Sequence, residues 1–291
     1  MARPPSSLWL VTKPVGATSA SLVDALRREL AGDHPLKVSH GGALDPFAEG
    51  LVVLLVGSAN RLFERLHEAP KVYRAEVVWG TETDTCDAGG RPVARPGGAA
   101  APQEGDLDRA LAPFLGWTEQ VPPNTSNKWV DGERAYARAH RGEEFTLPPQ
   151  RVFCHGGRWV AHDLPRASTL EVVVRGGFYV RSLARDLGRT LGCGAHLRAL
   201  VREAIGPWRA PTQPVTLTGP AVLPWVPMLT LTDAEWGDVR RGAALPARAA
   251  GPAQWSLPAG FPPTVWRGGV HRGRLVAVQG EGPPVLLPGG I

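Results

Sequence analysis

The stretch SHGGALDPFAEG, from Ser39 to Gly50, decides the fold and carries a short carboxylate among small and turn-forming residues. Gly41 and Gly42 admit positive φ and the close approach of another backbone or a ligand. Pro46 restricts the preceding Asp45 to an extended conformation. A carboxylate held in this way suits a nucleophile or a charge-stabilising group. The alternative is an Asp-Pro turn that caps a strand.

The elements around this loop are strands and helices in alternation. Leu8–Thr12 predicts a short strand, and Ser19–Leu30 predicts a helix because its apolar residues recur at helical spacing. The aliphatic run Leu51–Val56 predicts a buried strand directly after the loop. Tyr73–Trp79 alternates between apolar and polar residues over most of its length, which indicates a half-buried strand.

The second half of the chain continues this pattern. Leu170–Arg175 predicts another strand, and Tyr179–Leu191 predicts the clearest helix, with Gly192 as its stop. A shorter helix is predicted at Leu107–Leu115, after a low-complexity surface loop over residues 91–105. Since strands and helices are interspersed without a βαβ repeat, we predict an α+β fold with a mixed or antiparallel central sheet flanked by helices.

Two domains are predicted, a main domain over residues 8–225 and a small β-rich module over 226–291. Proline and threonine cluster near this boundary. Within the module, Leu231–Leu245 predicts a short helix and turn, and His271–Val278 predicts a strand.

Composition limits the class of protein. The chain has 291 residues and a formal net charge of +5, which fits a polyanionic partner. No apolar run approaches the roughly 18 residues that cross a bilayer, and the apolar run near the N-terminus is too short for a signal peptide. The 3 cysteines include no CxxC pair, which fits a reducing compartment and argues against a zinc site. We expect a soluble, cytoplasmic protein that needs no metal.

Several further segments stand in a fixed order along the chain. They are KPVGATS (13–19), GGALDP (41–46), KVYRA (71–75), GTETDTCDAGG (80–90), RGGFYVRSL (175–183) and LGCGAHL (191–197). In this order and at these spacings they closely resemble the TruB family, the tRNA pseudouridine-55 synthases of bacteria. The resemblance runs over about residues 8–245. It implies the pseudouridine synthase fold and a PUA-like RNA-binding module at 226–291.

The resemblance also implies a reaction and its participants. Asp45 matches the family's essential catalytic aspartate. Tyr73 matches the tyrosine that stacks on the target uracil and is implicated in removing the C5 proton, and Arg181 matches the arginine that pairs with the carboxylate. The reaction breaks the N1–C1′ bond of uridine, turns the base and forms a C5–C1′ bond. Because atoms are conserved, we expect no cofactor.

Three further residues match positions that contact the RNA. Tyr179 and Leu200 match residues that line the uridine pocket, and His40 matches a histidine that enters the RNA loop where the extruded base was. The target base must leave its stack to reach Asp45, which costs a few kcal/mol, and a T-loop with splayed bases lowers that cost. We expect a monomer whose partner is the T-arm stem-loop of tRNA.

Arginines supply further candidates for RNA binding. Arg181, Arg185 and Arg189 recur every fourth residue, so we expect a basic ridge separate from the apolar stripe of the helix. On periodicity alone, Arg185 and Arg189 fit a solvated face better than phosphate contacts. Their place beside Arg181 makes the two interpretations about equal. We predict Arg185, Arg189 and Arg202 as RNA-binding residues.

The sequence departs from the family pattern in places and leaves alternatives open. The family's Gly-His-Thr-Gly is replaced by SHGG at 39–42, its Ser-Ala segment by SNKW at 126–129, and its Arg-Arg-Leu by VRE at 201–203. Two other functions are a non-catalytic tRNA-binding or folding chaperone and a pseudouridine synthase with a different RNA target. Asp84 and Asp87 are better explained as loop caps than as a metal pair.

Overall fold

The computed structural model of the protein describes residues 7–31, 36–93 and 102–222, together with short elements beyond residue 227. The described residues form two compact units. The first contains those up to Ala69 and those from Ala204 onward, and the second is Pro70–Glu203. The predicted domain boundary between residues 225 and 226 stays a prediction.

Strands make up most of the regular structure. Those of the described residues are β1 (Ser7–Lys13), β2 (Val38–His40), β3 (Glu49–Val56), β4 (Lys71–Trp79), β5 (Gly116–Gln120), β6 (Trp129–Val130), β7 (Glu133–Arg134), β8 (Gln150–Asp163), β9 (Ala167–Val174), β10 (Ala195–Ile205), β11 (Trp208–Arg209), β12 (Val215–Leu217), β13 (Met228–Leu231), β14 (Leu275–Val278) and β15 (Val285–Leu286).

Helices are fewer and shorter. They are α1 (Ser19–Glu29), α2 (Phe63–Glu68), α3 (Glu104–Leu111), α4 (Ala135–His140) and α5 (Val180–Thr190), with 3-10 turns at Gly57–Leu62, Ala112–Phe114 and Gly219–Val222. Predicted helices at Ser19–Leu30 and Tyr179–Leu191 are confirmed. The helix predicted at Leu107–Leu115 begins earlier, at Glu104, and ends at Leu111, because Pro113 has no amide hydrogen to continue it.

The first unit is built around β3. Strand β1 runs antiparallel to it, from Ser7 opposite Val56 to Lys13 opposite Gly50. Strand β12 pairs with β1, and β2 pairs with β3. The predicted strand Leu51–Val56 is confirmed, and each of its residues is at most 1% exposed. Because Ser39 and His40 pair with β3, the expected loop over 39–50 is in part a strand.

Within the second unit, described strands of the main sheet follow the order β10-β4-β9-β8-β5, and β6 and β7 form a separate two-stranded sheet. Strand β4 runs antiparallel to β9, from Lys71 opposite Val174 to Val78 opposite Ala167. Alternate residues of β4 are buried, as predicted for Tyr73–Trp79. Strand β8 is 14 residues long, and its pairing with β9 shifts at Gly156 and again after Trp159.

The C-terminal residues that the structure describes form a separate small sheet. Strand β13 is parallel to β14, which is antiparallel to β15. The predicted strand at His271–Val278 is found over Leu275–Val278, and its first half lies outside the described residues. The predicted helix Leu231–Leu245 lies largely outside them as well, and Leu231 itself ends β13. The α+β class is confirmed.

Candidate active site

The loop that carries Asp45 belongs to the first unit and is fixed by its own backbone. Gly41 donates its amide hydrogen to the Val53 carbonyl at 2.8 Å, and Ala48 donates to the Asp45 carbonyl at 3.1 Å. Gly42 has a φ of 145°, in the region that favours glycine. Asp45 is half-buried. Two backbone hydrogen bonds thus hold this loop, and the rigidly mounted carboxylate stays a prediction.

A buried ammonium group stands beside this loop. Lys13 is 0% exposed, and its Nζ donates to the carbonyls of Pro14 at 2.9 Å, Ala17 at 2.8 Å and Pro46 at 3.3 Å. Gly16 also donates to the Pro46 carbonyl, at 2.7 Å. The carbonyl of Pro46, the residue that follows Asp45, is thus bonded to the segment 13–17 by one side chain and one amide.

The residue before Asp45 is held from helix α1. Ser19 accepts a hydrogen bond from the Leu44 amide at 2.9 Å and is itself buried. Thr18 caps α1 by accepting from the Ser21 amide at 3.0 Å. The sequence KPVGATS at 13–19 therefore fixes the backbone on both sides of Asp45.

In the second unit, Tyr73 and Leu200 lie on adjacent strands, β4 and β10. Tyr73 is 8% exposed and Leu200 4% exposed. The phenol oxygen of Tyr73 accepts a hydrogen bond from Nη1 of Arg202 at 3.4 Å. Arg202 is itself buried, two residues after Leu200 on β10.

Arg181 lies in the first turn of α5 and is only 3% exposed. Its Nη1 donates to the carbonyl of Thr85 at 3.0 Å and to the hydroxyl of Thr125 at 2.6 Å. The same nitrogen lies 3.4 Å from a carboxylate oxygen of Asp87. A solvated Arg181 is therefore excluded, and its guanidinium is oriented by two separate loops.

Asp84 and Asp87 act as loop caps, as predicted. Asp84 accepts from the Arg91 amide at 2.8 Å, and Asp87 accepts from the Gly89 amide at 3.0 Å. Sequence reasoning missed that Asp87 also pairs with Arg181, because the two residues are 94 positions apart. The feature of the sequence that could have pointed to this contact is the presence of a carboxylate within segment 80–90, which resembles the family.

The start of α5 is fixed by Gln120, which the sequence analysis did not single out, and by two side chains of α5 itself. The side-chain amide of Gln120 donates to the Tyr179 carbonyl at 3.0 Å and accepts from the Tyr179 amide at 2.8 Å. Ser182 donates to the Val121 carbonyl at 2.8 Å, and Arg185 donates to the same carbonyl at 2.9 Å. The segment around residues 120–125 is thus fastened to the first two turns of the helix.

The predicted RNA-binding arginines have unequal surroundings. Arg185 is 7% exposed, so the interpretation of a solvated face is wrong for it, and the basic ridge is in part internal. Arg189 is half-exposed and forms two hydrogen bonds with the buried Glu82, which raise its pKa. His40 is half-buried on β2, in the first unit. Whether these residues bind RNA stays a prediction.

The Cys86 thiol of the second unit is affected by its surroundings. Burial raises the pKa of this thiol, which lies between Thr85 and Asp87 in sequence. On β10, the Nδ1 of His196 is 2.8 Å from the Thr81 carbonyl.

Among the helices of the described residues, none combines the length and the apolar character that a membrane span requires.

Comparison with known proteins identifies the class. The profile described as TruB family pseudouridylate synthase (N terminal domain) matches residues 28–180. The fold is similar to that in a crystal structure of a Cbf5-Nop10-Gar1 complex, with a TM-score of 0.61 and 21% identity over 94% of this chain and 74% of that one. Fold and profile together define a pseudouridine synthase.

Two relatives with similar sequences identify the family within this class. The tRNA pseudouridine synthase B of Xanthomonas oryzae pv. oryzae is 42% identical over 217 residues, which are 75% of this chain and 68% of the relative. That of Synechococcus sp. (strain CC9311) is 38% identical over 260 residues, 83% of this chain and 86% of the relative. The chain belongs to the TruB family.

Proposed function

We propose that this protein isomerises uridine to pseudouridine at position 55 in the T-loop of tRNA, with Asp45 as the nucleophile. The observation that carries the proposal is the buried guanidinium of Arg181 at the start of α5. Burying a charge costs free energy unless it is paired and hydrogen-bonded. Arg181 meets this condition at the position that matches the family's catalytic-site arginine, because Thr85, Thr125 and Asp87 hold its guanidinium.

The proposed reaction is an exchange of bonds within one nucleotide. The Asp45 carboxylate attacks the nucleotide, the N1–C1′ bond breaks, the detached uracil turns, and C5 bonds to C1′. The proton on C5 leaves and N1 gains one, so the product has the composition of the substrate. Asp45 is then released, which regenerates the nucleophile for the next turnover.

The residues of the second unit are proposed to bind the base. Tyr73 offers a flat apolar face for stacking and a polar tip, and Tyr179 and Leu200 complete an apolar pocket. Arg181 is proposed for the role of the family's carboxylate-pairing arginine, and its guanidinium is held by Thr85, Thr125 and Asp87. The double hydrogen bond between Gln120 and Tyr179 supports this proposal, since it fixes the backbone from which Tyr179 and Arg181 project.

Binding of the whole T-arm is proposed to use additional surface. His40 enters the RNA loop in place of the flipped base, and Arg189, which is half-exposed, contacts phosphate. We propose that residues 226–291 form a PUA-like module that adds contacts to RNA. The sheet formed by β13, β14 and β15 is compatible with a β-rich module there. The enzyme acts as a monomer in the cytoplasm, where its tRNA substrate is found.

Release of tritium tests the reaction and its target together. A tRNA transcript labelled with [5-³H]uridine, and an isolated T-arm stem-loop labelled in the same way, are incubated with the protein. We expect about one tritium released per RNA in both, since one C5–H bond is broken in each turnover. Matched transcripts with cytidine at the T-loop position serve as controls.

The outcomes separate the proposal from its alternatives. Release that the cytidine substitution abolishes supports it. Release that persists in the cytidine transcript would mean that the enzyme modifies another uridine. Binding of the transcript without release would identify a tRNA-binding or folding protein that does no chemistry.

A further inference from the structure

Arg202 is a buried cation beside the proposed site. It is 1% exposed and is among the largest side chains of the described residues with so little exposure. A guanidinium has five N–H donors and no acceptor, so its burial requires acceptors around it. A side chain so enclosed is also poorly placed to bind a phosphate on the surface of an RNA.

The contacts between β4 and β10 show what is unusual about Arg202. Two other pairs join these strands, Arg198 with Glu76 and Arg74 with Glu203, and each is an arginine–carboxylate ion pair with exposed side-chain surface. Arg202, by contrast, lies in the interior and donates to the phenol oxygen of Tyr73 at 3.4 Å. The buried face of these strands therefore places a guanidinium against a phenol.

We infer that Arg202 is a positioning residue for Tyr73 and not a phosphate contact, an inference that rests on the proposed role of Tyr73 in binding the uracil. A ring on a single Cβ rotates about two side-chain torsions. A hydrogen bond to its far end removes that freedom at the place where the uracil must stack. Holding a group in its reactive orientation before the substrate arrives contributes to the rate of the chemical step.

The kinetic test uses a double-mutant cycle. Arg202→Gln, Tyr73→Phe and the double variant are compared with wild type in multiple-turnover tritium release from the T-arm stem-loop. We expect Arg202→Gln to lower kcat roughly tenfold, as for loss of a hydrogen bond to a charged group, with KM changed less than about twofold. In the Tyr73→Phe background, Arg202→Gln should lower kcat by less than about twofold, because the hydrogen bond is already absent.

Two more variants separate positioning from general stability. Arg202→Lys keeps the charge and a donor, and should return kcat to within about threefold of wild type. Arg198→Gln removes an arginine from the same strand that also contacts β4, and should leave kcat unchanged. If Arg202→Gln lowers kcat by the same factor with and without the Tyr73 hydroxyl, the inference is overturned. So would a rise in KM alone that depends on salt, the signature of a phosphate contact.

A spectroscopic test does not depend on activity. The chain has only 3 tyrosines, so protein labelled with 3-fluorotyrosine gives three ¹⁹F signals, and Tyr73→Phe identifies the one from residue 73. We expect Arg202→Lys and Arg202→Gln to move or broaden this signal, and Arg198→Gln to leave it in place. An unchanged signal would overturn the inference even in a folded, active variant. Failure of the wild type to release tritium would instead contradict the proposed function.

Discussion

The Asp45 loop of the first unit and the start of α5 in the second unit are held in different ways. Around Asp45 the contacts run through backbone groups, with Lys13 bonded to three carbonyls that lie close to it or to Asp45 in sequence. At the start of α5 they include side chains from distant segments, namely Asp87 and Thr125 on Arg181 and Gln120 on the backbone of Tyr179.

This difference has a chemical basis. A nucleophile needs a fixed backbone, which glycine, proline and an internal ammonium provide. An arginine that must stay buried and charged needs polar partners aimed at it, and these come from wherever the fold brings them. We therefore expect the first region to lose stability when a contact to its backbone is lost. The second region should lose stability when close packing or a polar partner is lost.

The largest effect is expected where α5 meets the turn before β10. A Cβ at Gly188 would lie 2.2 Å from the Ala195 amide nitrogen and 2.4 Å from the Gly194 carbonyl carbon. Gly188→Ala should lower the free energy of unfolding by about 3 kcal/mol or more, since backbone would have to move. Gly105→Ala in α3 meets nothing within 4 Å and should raise it by about 0.5–1 kcal/mol. Urea denaturation measures both, and similar stabilities of the two variants would refute the packing argument.

Loss of the buried ammonium tests the first region. Lys13→Met leaves the Pro14, Ala17 and Pro46 carbonyls without their charged donor and should cost about 2–3 kcal/mol of unfolding free energy. Activity should fall as well, because the Pro46 peptide follows Asp45. Arg28→Met, on the exposed side of α1, is the matched control and should change stability by less than about 0.5 kcal/mol. A Lys13→Met protein as stable and active as wild type would show that the loop is fixed by other means.

Acid should weaken the second unit through His155 on β8. Burial lowers the pKa of His155 to about 4, and neither ring nitrogen has a hydrogen-bond partner among the described residues. The unfolded chain takes up a proton near pH 6.5 and the folded protein does not. Unfolding free energy should therefore fall by about 1 kcal/mol between pH 7.5 and 5.5 because of this group. His155→Gln should remove that part of the pH dependence, and His140→Gln, which is exposed, should retain it.

The smallest effect concerns Arg189, which is shared between Glu82 and the proposed RNA contact. Affinity for T-arm RNA should weaken steeply as salt rises, because phosphate contacts release counterions. Arg189→Gln should reduce the slope of log affinity against log salt by about 0.7–0.9, the value for one contact. Arg109→Gln, on exposed α3, is the control. An unchanged slope would assign Arg189 to its pair with Glu82 alone.

Local patterns were sufficient to predict several strands and helices. Strands β1 and β3 and helix α1 follow from apolar spacing, and α5 follows from its stripe and the glycine after it. Each of these signals lies within about a dozen residues. The Asp-Pro loop was recognised from its glycines for the same reason.

Contacts between distant segments could not be predicted in this way. Strand β8 was missed because Gly156 and Gly157 interrupt its alternation, and the structure accommodates them with a shift in register. Arg185 looked like part of a surface ridge, because helical spacing does not show which faces other segments cover. Here the segment that begins at Gln120 covers it.

The residues of the candidate site fall into the same two groups, those that local motifs identify and those that act through contacts with distant segments. Asp45, Tyr73 and Arg181 could be named from motifs, but Asp87, Thr125 and Gln120 act through partners 56 to 94 residues away in sequence. The sequence contains these residues without indicating what they contact. Only the fold shows that they orient the residues that the motifs identify.

Substitution of Asp45 tests the central claim most directly. Asp45→Asn keeps the shape of the side chain and removes its charge, and Asp24→Asn removes an exposed carboxylate of α1 as a control. Binding of T-arm RNA and release of tritium are measured for both. The account predicts that Asp45→Asn binds within about threefold of wild type and loses roughly a thousandfold or more in rate, while Asp24→Asn matches wild type. Near-normal tritium release by Asp45→Asn would contradict it.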